Sequence, residues 1–359
     1  MYELNIHISP SYKPIIHNID FNFIIKDNNK INIIEHDNYD NKDKLDLNIR
    51  HSCIYSYLYI DSFYNNKVFI NTFRDKHLIS HIYEYSDDLT IFPYIFTNNH
   101  YSKFYIQQHL DQYNKLYNNN KISKSFGNKY WLVKSQDTFN FIDILLLTDT
   151  ELLNYNNKNI FIQKYLEYPL INNNKKNTIK AHIMIFPKII NINDYYHIKY
   201  NDINIDYKIY LHKYIMITNT INDYIYNDTS MKNINTMQVI QGFDSNNHKL
   251  LEDTHIKNLI IKNLKKLKKN KNFDKIIKKS IYGYPYFGQI ISIDFEIDND
   301  KKNIYIDRIT GNMGLEYDEF KKSNIFLSFY QKLIKSVFKI KYNKLIKYKN
   351  KYTNELILI

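Results

Sequence analysis

Apolar and polar positions alternate with a period of two over many short stretches of this chain, and with a helical period over a few longer ones. In the first 91 residues "INIIEH", "CIYSYLYIDSF" and "KVFINTF" read as strands between polar turns. "RDKHLISHIYEYS" then places Leu78, Ile82 and Tyr85 on one face of a predicted helix. Pro93 in "LTIFPYIF" marks an extended segment, because proline disfavours helix at the residue before it. "YSKFYIQQHLDQYNKLY" predicts a helix, "KYWLVKS" a strand, "DTELLNY" a short helix and "NIFIQKYLE" another strand. "TIKAHIMIFPKII" and "YKIYLHKYIMIT" alternate like neighbours in one antiparallel sheet. "THIKNLIIKNLKKLKKNKNFDKIIKKS" predicts one long basic amphipathic helix or two shorter ones. "QIISIDFEID" and "KNIYIDRI" read as two strands joined by an acidic turn, and the end of the chain reads as helical and then basic. No internal repeat is evident. Strands and helices in mixed order predict an α+β or α/β protein with an antiparallel sheet in its C-terminal half.

Composition changes this picture in three ways. A chain of 359 residues, 44% hydrophobic, is too long for one ordinary core and predicts two or three subdomains. Asn, Ile, Lys and Tyr dominate, and Ala181 is the only alanine, a bias that an A+T-rich coding genome would impose. The formal net charge of +12 favours acidic partners. Cys53 is the only cysteine, so an intrachain disulfide and a Cys-rich zinc site are both excluded. No signal peptide and no apolar run long enough for a membrane span are read.

Candidate chemistry sits on the strands. Lys134 ends the strand "WLVKS", and "FIQKYLEYPLI" sets Gln163 and Lys164 inside an otherwise apolar run. The cluster "NNNKKNTIK" leads into a further strand, and Asp294 and Asp307 lie on neighbouring strands. A nucleotide cleft between two sheets needs such parts. Lysines neutralise phosphates, a strand edge offers backbone groups to a base, and carboxylates hold Mg²⁺. The histidines show no metal-ligand spacing, and no serine or cysteine nucleophile motif is present.

From "RDKHLISHI" to "GNMGL" the sequence resembles the tubulin–tyrosine ligase-like family, whose members have an ATP-grasp fold. "FPYIF", "WLVKS", "FIQKYLEYPLI", "KKNTIKAHIMI", "KNIN", "SIDFEID" and "YIDRI" come in family order and at family-like spacing. The resemblance implies an α+β, ATP-grasp-like fold with its nucleotide cleft between a central and a C-terminal subdomain. Residues 1–91 would form a smaller N-terminal α/β domain, 92–170 the central subdomain, 171–340 the C-terminal subdomain and 341–359 a basic tail. ATP and Mg²⁺ are the implied cofactors. Gln163, Lys164 and the backbone at Tyr165 and Leu166 would face adenine, and Lys134 and Lys176 would hold phosphates. Asp294 and Asp307 would bind Mg²⁺, and Lys180 would act catalytically by meeting the acyl phosphate or the substrate carboxylate. The implied reaction ligates an amino acid to a carboxylate of an acidic protein such as the tubulin C-terminal tail. A cytoplasmic monomer, with no membrane or nucleic-acid partner, is expected.

Departures from the family pattern fall on functional positions. "SQDTFNFIDILLLTD" stands where the family has a Gly-rich loop, and no glycine lies between Gly127 and Gly242. Thr178 and Lys180 replace the Asp and Arg of a Lys-x-Asp-x-Arg strand, and Met216 replaces an Arg. The second metal strand reads Asp307-Arg308-Ile309 where Glu-x-Asn is expected, so Ile309 would lie beside the ion. Three readings stay open: a ligase of reduced activity, an inactive ligase fold that binds an acidic partner, and a nucleic-acid-binding protein.

Overall fold

The computed structural model describes residues 3–8, 30–34, 47–49, 89–98, 102–135, 144–157, 160–188, 206–219, 223–226, 248–282, 289–310 and 355–359. The expected elements at "CIYSYLYIDSF", "KVFINTF" and "RDKHLISHIYEYS", the segment "KNIN" and the expected C-terminal helix lie outside these residues.

Three strands near the N-terminus, β1 (Glu3–Ile8), β2 (Lys30–Ile34) and β3 (Leu47–Ile49), form a parallel sheet in the order β2-β1-β3.

A second sheet is antiparallel, in the order β4-β7-β5-β6. Its strands are β4 (Ile95–Asn98), β5 (Tyr130–Ser135), β6 (Ile144–Thr148) and β7 (Ile160–Lys164). One face packs on helix α1 (Lys103–Asn118). Helix α1 starts where the Ser102 side chain accepts the Tyr105 N–H, and it buries Ile106, Leu110 and Tyr113 at helical spacing. Helix α2 (Asp149–Asn154) begins on a capping box between Thr148 and Glu151.

The third sheet has eight strands. They are β8 (Ile171–Asn172), β9 (Lys175–Lys188), β10 (Asp206–His212), β11 (Met216–Asn219), β12 (His248–Leu250), β13 (Gln289–Ile297), β14 (Ile304–Thr310) and β15 (Leu356–Leu358). β9 is its spine. β10 and β11 pair with one of its edges and β13 with the other, and β14 lies beyond β13. The end of the expected basic tail is not a tail: Leu356–Leu358 is apolar and adds to β10 as an edge strand.

One face of β9 and β13 carries Ile179, Ala181, Ile183, Ile185, Ile291, Ile293, Phe295 and Ile297. Helices α3 (Thr254–Lys269) and α4 (Lys271–Tyr282) cover that face with Ile256, Ile260, Leu264, Leu267, Phe273 and Ile277. The long basic run therefore forms two helices, broken at Asn270, whose side-chain oxygen accepts the N–H groups of Asn272 and Phe273 to start the second. The opposite face of the large sheet turns toward β5 and β7. Among the described residues no helix is long and apolar enough to cross a membrane.

Candidate functional site

Strand alternation decides which side chains meet between the two sheets. Lys134 stands opposite Phe161, and Leu132 opposite Gln163, so these four share one face of the small sheet. Tyr165 continues that face, where Tyr130, Leu132, Leu146, Tyr165 and Tyr224 form a buried apolar cluster. On β9 the same parity rule puts Lys176, Thr178 and Lys180 on the face away from α3 and α4.

One row runs across the large sheet. Met216 pairs with Lys180, Lys180 with Asp294 and Asp294 with Arg308. Directly paired residues project to the same side, so Met216, Lys180, Asp294 and Arg308 line up on the cleft face. A β-bulge then changes the outcome for β14. Asp294 pairs with Arg308 but Phe295 pairs with Ile306, leaving Asp307 as the extra residue. Ile304 and Ile306 face the core, and unbroken alternation would send Arg308 there as well. The bulge restores Ile309 to the core and turns Arg308 into the cleft beside Asp307. This corrects the expectation for Ile309, which packs with Ile293 in the core and has Arg308 in the cleft in its stead. The physical reason is cost: a guanidinium in an apolar core and an isoleucine among charges would both be unfavourable.

The two sheets meet through side chains. Gln163 Nε2 donates to Asp307 Oδ1 at 2.7 Å, and Lys134 Nζ donates to Gln163 Oε1 at 3.1 Å. Lys134 Nζ also lies 3.8 Å from Asp307 Oδ1. Burial works against the charge of Asp307, but Lys134 and the Gln163 amide overcome it and hold the carboxyl below its usual range. Lys176 pairs with Glu296, and its ammonium lies 4.5 Å from the centre of the Tyr165 ring. Burial disfavours that ammonium, yet the charge and hydrogen bond of Glu296 together with Tyr224 and Asp307 outweigh it and the Lys176 pKa rises.

Asp294 is 2% exposed. Arg308 reaches its Oδ2 with Nη2 at 2.5 Å and Nε at 2.7 Å, while Lys180 Nζ stands 3.6 Å from Oδ1. Burial would raise the Asp294 pKa, and the two cations reverse that and lower it. Lys180 moves down, chiefly through burial, with Asp294 opposing and Arg308 adding to the shift.

Mg²⁺ takes about six oxygen ligands in an octahedron. The described residues do not fit it here. No three His, Cys, Asp or Glu side chains among them gather as a ligand group. Both oxygens of Asp294 face cations, and Oδ1, which lacks a hydrogen-bond donor, already has Lys180 beside it. Asp307 is engaged by Gln163 and Lys134.

Lys164 does not join the cleft. It follows Gln163, so it projects through the opposite face, beneath the rings of Tyr113 and Trp131 at 5.1 Å from each centre. Its ammonium is 0% exposed, donates to Tyr130 O and Glu167 Oε1 at 2.9 Å, and is pulled down in pKa by burial against the pull of Glu167. Leu166 packs into the same core, and the Tyr165 N–H donates to Tyr130 O at 3.2 Å.

Sequence reasoning overlooked Glu167, Glu296, Arg308 and Tyr224. Glu167 accepts the N–H groups of Lys129 and Tyr130 at 2.7 and 2.8 Å and the Tyr226 hydroxyl at 2.6 Å. It binds two stretches of the small sheet together and holds Lys164. Glu296 had a visible signal, since it lies two residues after Asp294 and so shares its face. Tyr224 carried no such signal in its Asn-rich surroundings.

No family model matches the sequence, and no curated protein matches it. Among solved structures, the fold is similar to the C-terminal domain of K. lactis Pby1, described as an ATP-grasp enzyme interacting with the mRNA decapping enzyme Dcp2. That match has a TM-score of 0.57 and 12% identity, covering 99% of this chain and 98% of that one. At this identity the likeness is one of architecture: antiparallel sheets joined through polar side chains form an ATP-grasp-like α+β fold.

Proposed function

We propose that the cleft binds an adenine nucleotide and that this chain is a binding protein built on a tubulin–tyrosine ligase-like fold, with ligation slow or absent. The observation that carries the reading is the meeting of Lys134, Gln163 and Asp307 across the two sheets. Lys134, Lys176 and Lys180 supply phosphate-binding cations, and Gln163 with the apolar surface of Leu132, Leu146 and Tyr165 supplies the base site. Lys164 is left out of this list because its charge is committed to Glu167 on the other side of the sheet. Ligation is expected to be slow because Met216 stands beside Lys180, where an Arg is expected, and because the carboxylates do not fit Mg²⁺.

The macromolecular partner in this reading is an acidic polypeptide such as a tubulin tail. Lys262, Lys265, Lys269, Lys271 and Lys275 are exposed on α3 and α4, on the side of the large sheet opposite the cleft. That placement lets an acidic segment bind without competing for the nucleotide.

Calorimetric titration of ATP into the full chain tests the proposal. Saturable binding is expected, and Lys134→Ala is expected to weaken it about tenfold or more, the effect of one charge-assisted contact. No heat and no rise in melting temperature at millimolar ATP would overturn it.

A further inference from the structure

We infer that the cleft takes the phosphates of its nucleotide without a divalent cation, with Arg308 supplying the charge that a metal ion would otherwise supply. This rests on the nucleotide-binding reading and adds its mode of charge neutralisation.

Three observations carry it. First, Arg308 is aimed into the cleft by a built feature, the bulge at Asp307, and not by a flexible side chain that happens to fold back. Second, Arg308 sets two guanidinium nitrogens, Nε as a hydrogen-bond donor and Nη2 as an ion-pair partner, against one oxygen of a carboxylate that is 2% exposed, and Lys180 faces the other oxygen. A metal ion entering here would have to displace a forked guanidinium from a buried partner or share space with it, and like charges in a poorly solvated site repel strongly. Third, the described residues facing the cleft carry four cations, Lys134, Lys176, Lys180 and Arg308, against the three carboxylates Asp294, Glu296 and Asp307. Among the described residues the surplus is positive before any metal is added. Phosphate oxygens can therefore exchange with carboxylate oxygens on these donors, and Arg308, the most exposed of the row at 33% for its side chain, is placed to make that exchange first. A guanidinium offers a phosphate a flat fork of donors, a geometry that a hydrated Mg²⁺ does not reproduce.

The experiment compares ATP binding to the wild-type chain in excess EDTA and in excess Mg²⁺, by calorimetry. Equal affinity in the two buffers, or tighter binding in EDTA, is the expected result. Arg308→Ala should lose on the order of tenfold to a hundredfold in EDTA. It should also gain a dependence on Mg²⁺ that the wild type lacks, because Asp294 is then open to a metal. Binding by the wild type only when Mg²⁺ is present would overturn the inference and leave nucleotide binding standing. Absence of binding in both buffers would overturn both. Should Arg308→Ala fail to fold, the wild-type comparison still decides, and Arg308→Lys, which keeps the charge and removes the fork, replaces it as the variant.

Discussion

Arg308 and Asp294 meet at a single carboxylate oxygen, to which Nε donates a hydrogen bond at 2.7 Å and with which Nη2 forms an ion pair at 2.5 Å. The pair spans neighbouring strands, and Lys180 on the next strand faces the remaining oxygen at 3.6 Å. Asp294→Ala removes the carboxylate that both cations face. Losing one side of a buried ion pair costs about 3–5 kcal/mol, and a loss of unfolding free energy of that order, read from urea denaturation, is expected. Adding Lys180→Met to Asp294→Ala should recover part of the loss, because an apolar side chain of similar length then replaces a buried cation. A double variant no more stable than the single one would count against the assignment.

Lys164 and Glu167 are expected to matter for stability and not for ligand binding. Lys164→Met takes the cation from a carboxylate that is 1% exposed and leaves it only neutral donors. A loss of about 3 kcal/mol or more follows from the usual cost of breaking a buried pair. ATP affinity measured below the melting transition should be unchanged, since the ammonium lies on the far face of β7. A tenfold loss of affinity in a still-folded variant would show instead that Lys164 touches the nucleotide.

Gly127 has φ +61°, and a Cβ placed there would lie 2.2 Å from Glu167 Oε2. Gly127→Ala therefore meets two penalties. The left-handed backbone costs about 1–2 kcal/mol for a residue with a side chain, and the carboxylate that ties Lys129, Tyr130 and Lys164 together must move. A clear drop in melting temperature is expected, larger than for the exposed change Asn119→Ala. Equal melting temperatures for the two variants would sink the argument.

His109 gives an acid limb to the stability curve. Its ring stacks on Phe96 with centroids 4.2 Å apart, and its Nδ1 lies 2.9 Å from the Tyr94 hydroxyl. Burial lowers its pKa from 6.5 to about 4. The unfolded chain thus takes up a proton at higher pH than the folded one. This contribution is complete above about pH 6.5 and is lost as pH falls toward about 4. His109→Phe keeps the stack and removes the proton. Its urea midpoint should change less than that of the wild type between about pH 7 and about pH 5.

Much of the site was legible because its residues sit on strands with strong alternation. "WLVKS", "FIQKYLE" and "SIDFEID" each became the strand expected, and the order of their charges placed Lys134, Gln163 and Asp294 at the facing surfaces of two sheets. Alternation also separated Gln163 from Lys164, a distinction that the motif treated as a block obscured. The bulge at Asp307 was not legible. It depends on how β14 fits β13, and the local sequence "YIDRI" alternates equally well in either register. Glu167 was missed because an acid at the end of an apolar run ordinarily marks the surface. Here its charge is buried and satisfied by Lys164 and by the backbone N–H groups of Lys129 and Tyr130 at the start of β5.

β15 has a consequence for solubility. Tyr210, Leu211 and His212 of β10 pair with Leu358, Ile357 and Leu356, and the pairing is extended by Lys213 N–H to Glu355 O and Ile359 N–H to Ile209 O. These few residues act as a cover over the rim of the large sheet. A chain cut before Glu355 would present an open row of backbone donors and acceptors beside Ile209 and Leu211, the kind of rim on which another chain can add itself. Such a truncated protein should elute earlier than the intact chain on size exclusion as its concentration rises, while unchanged elution would show that the rim is protected by other means.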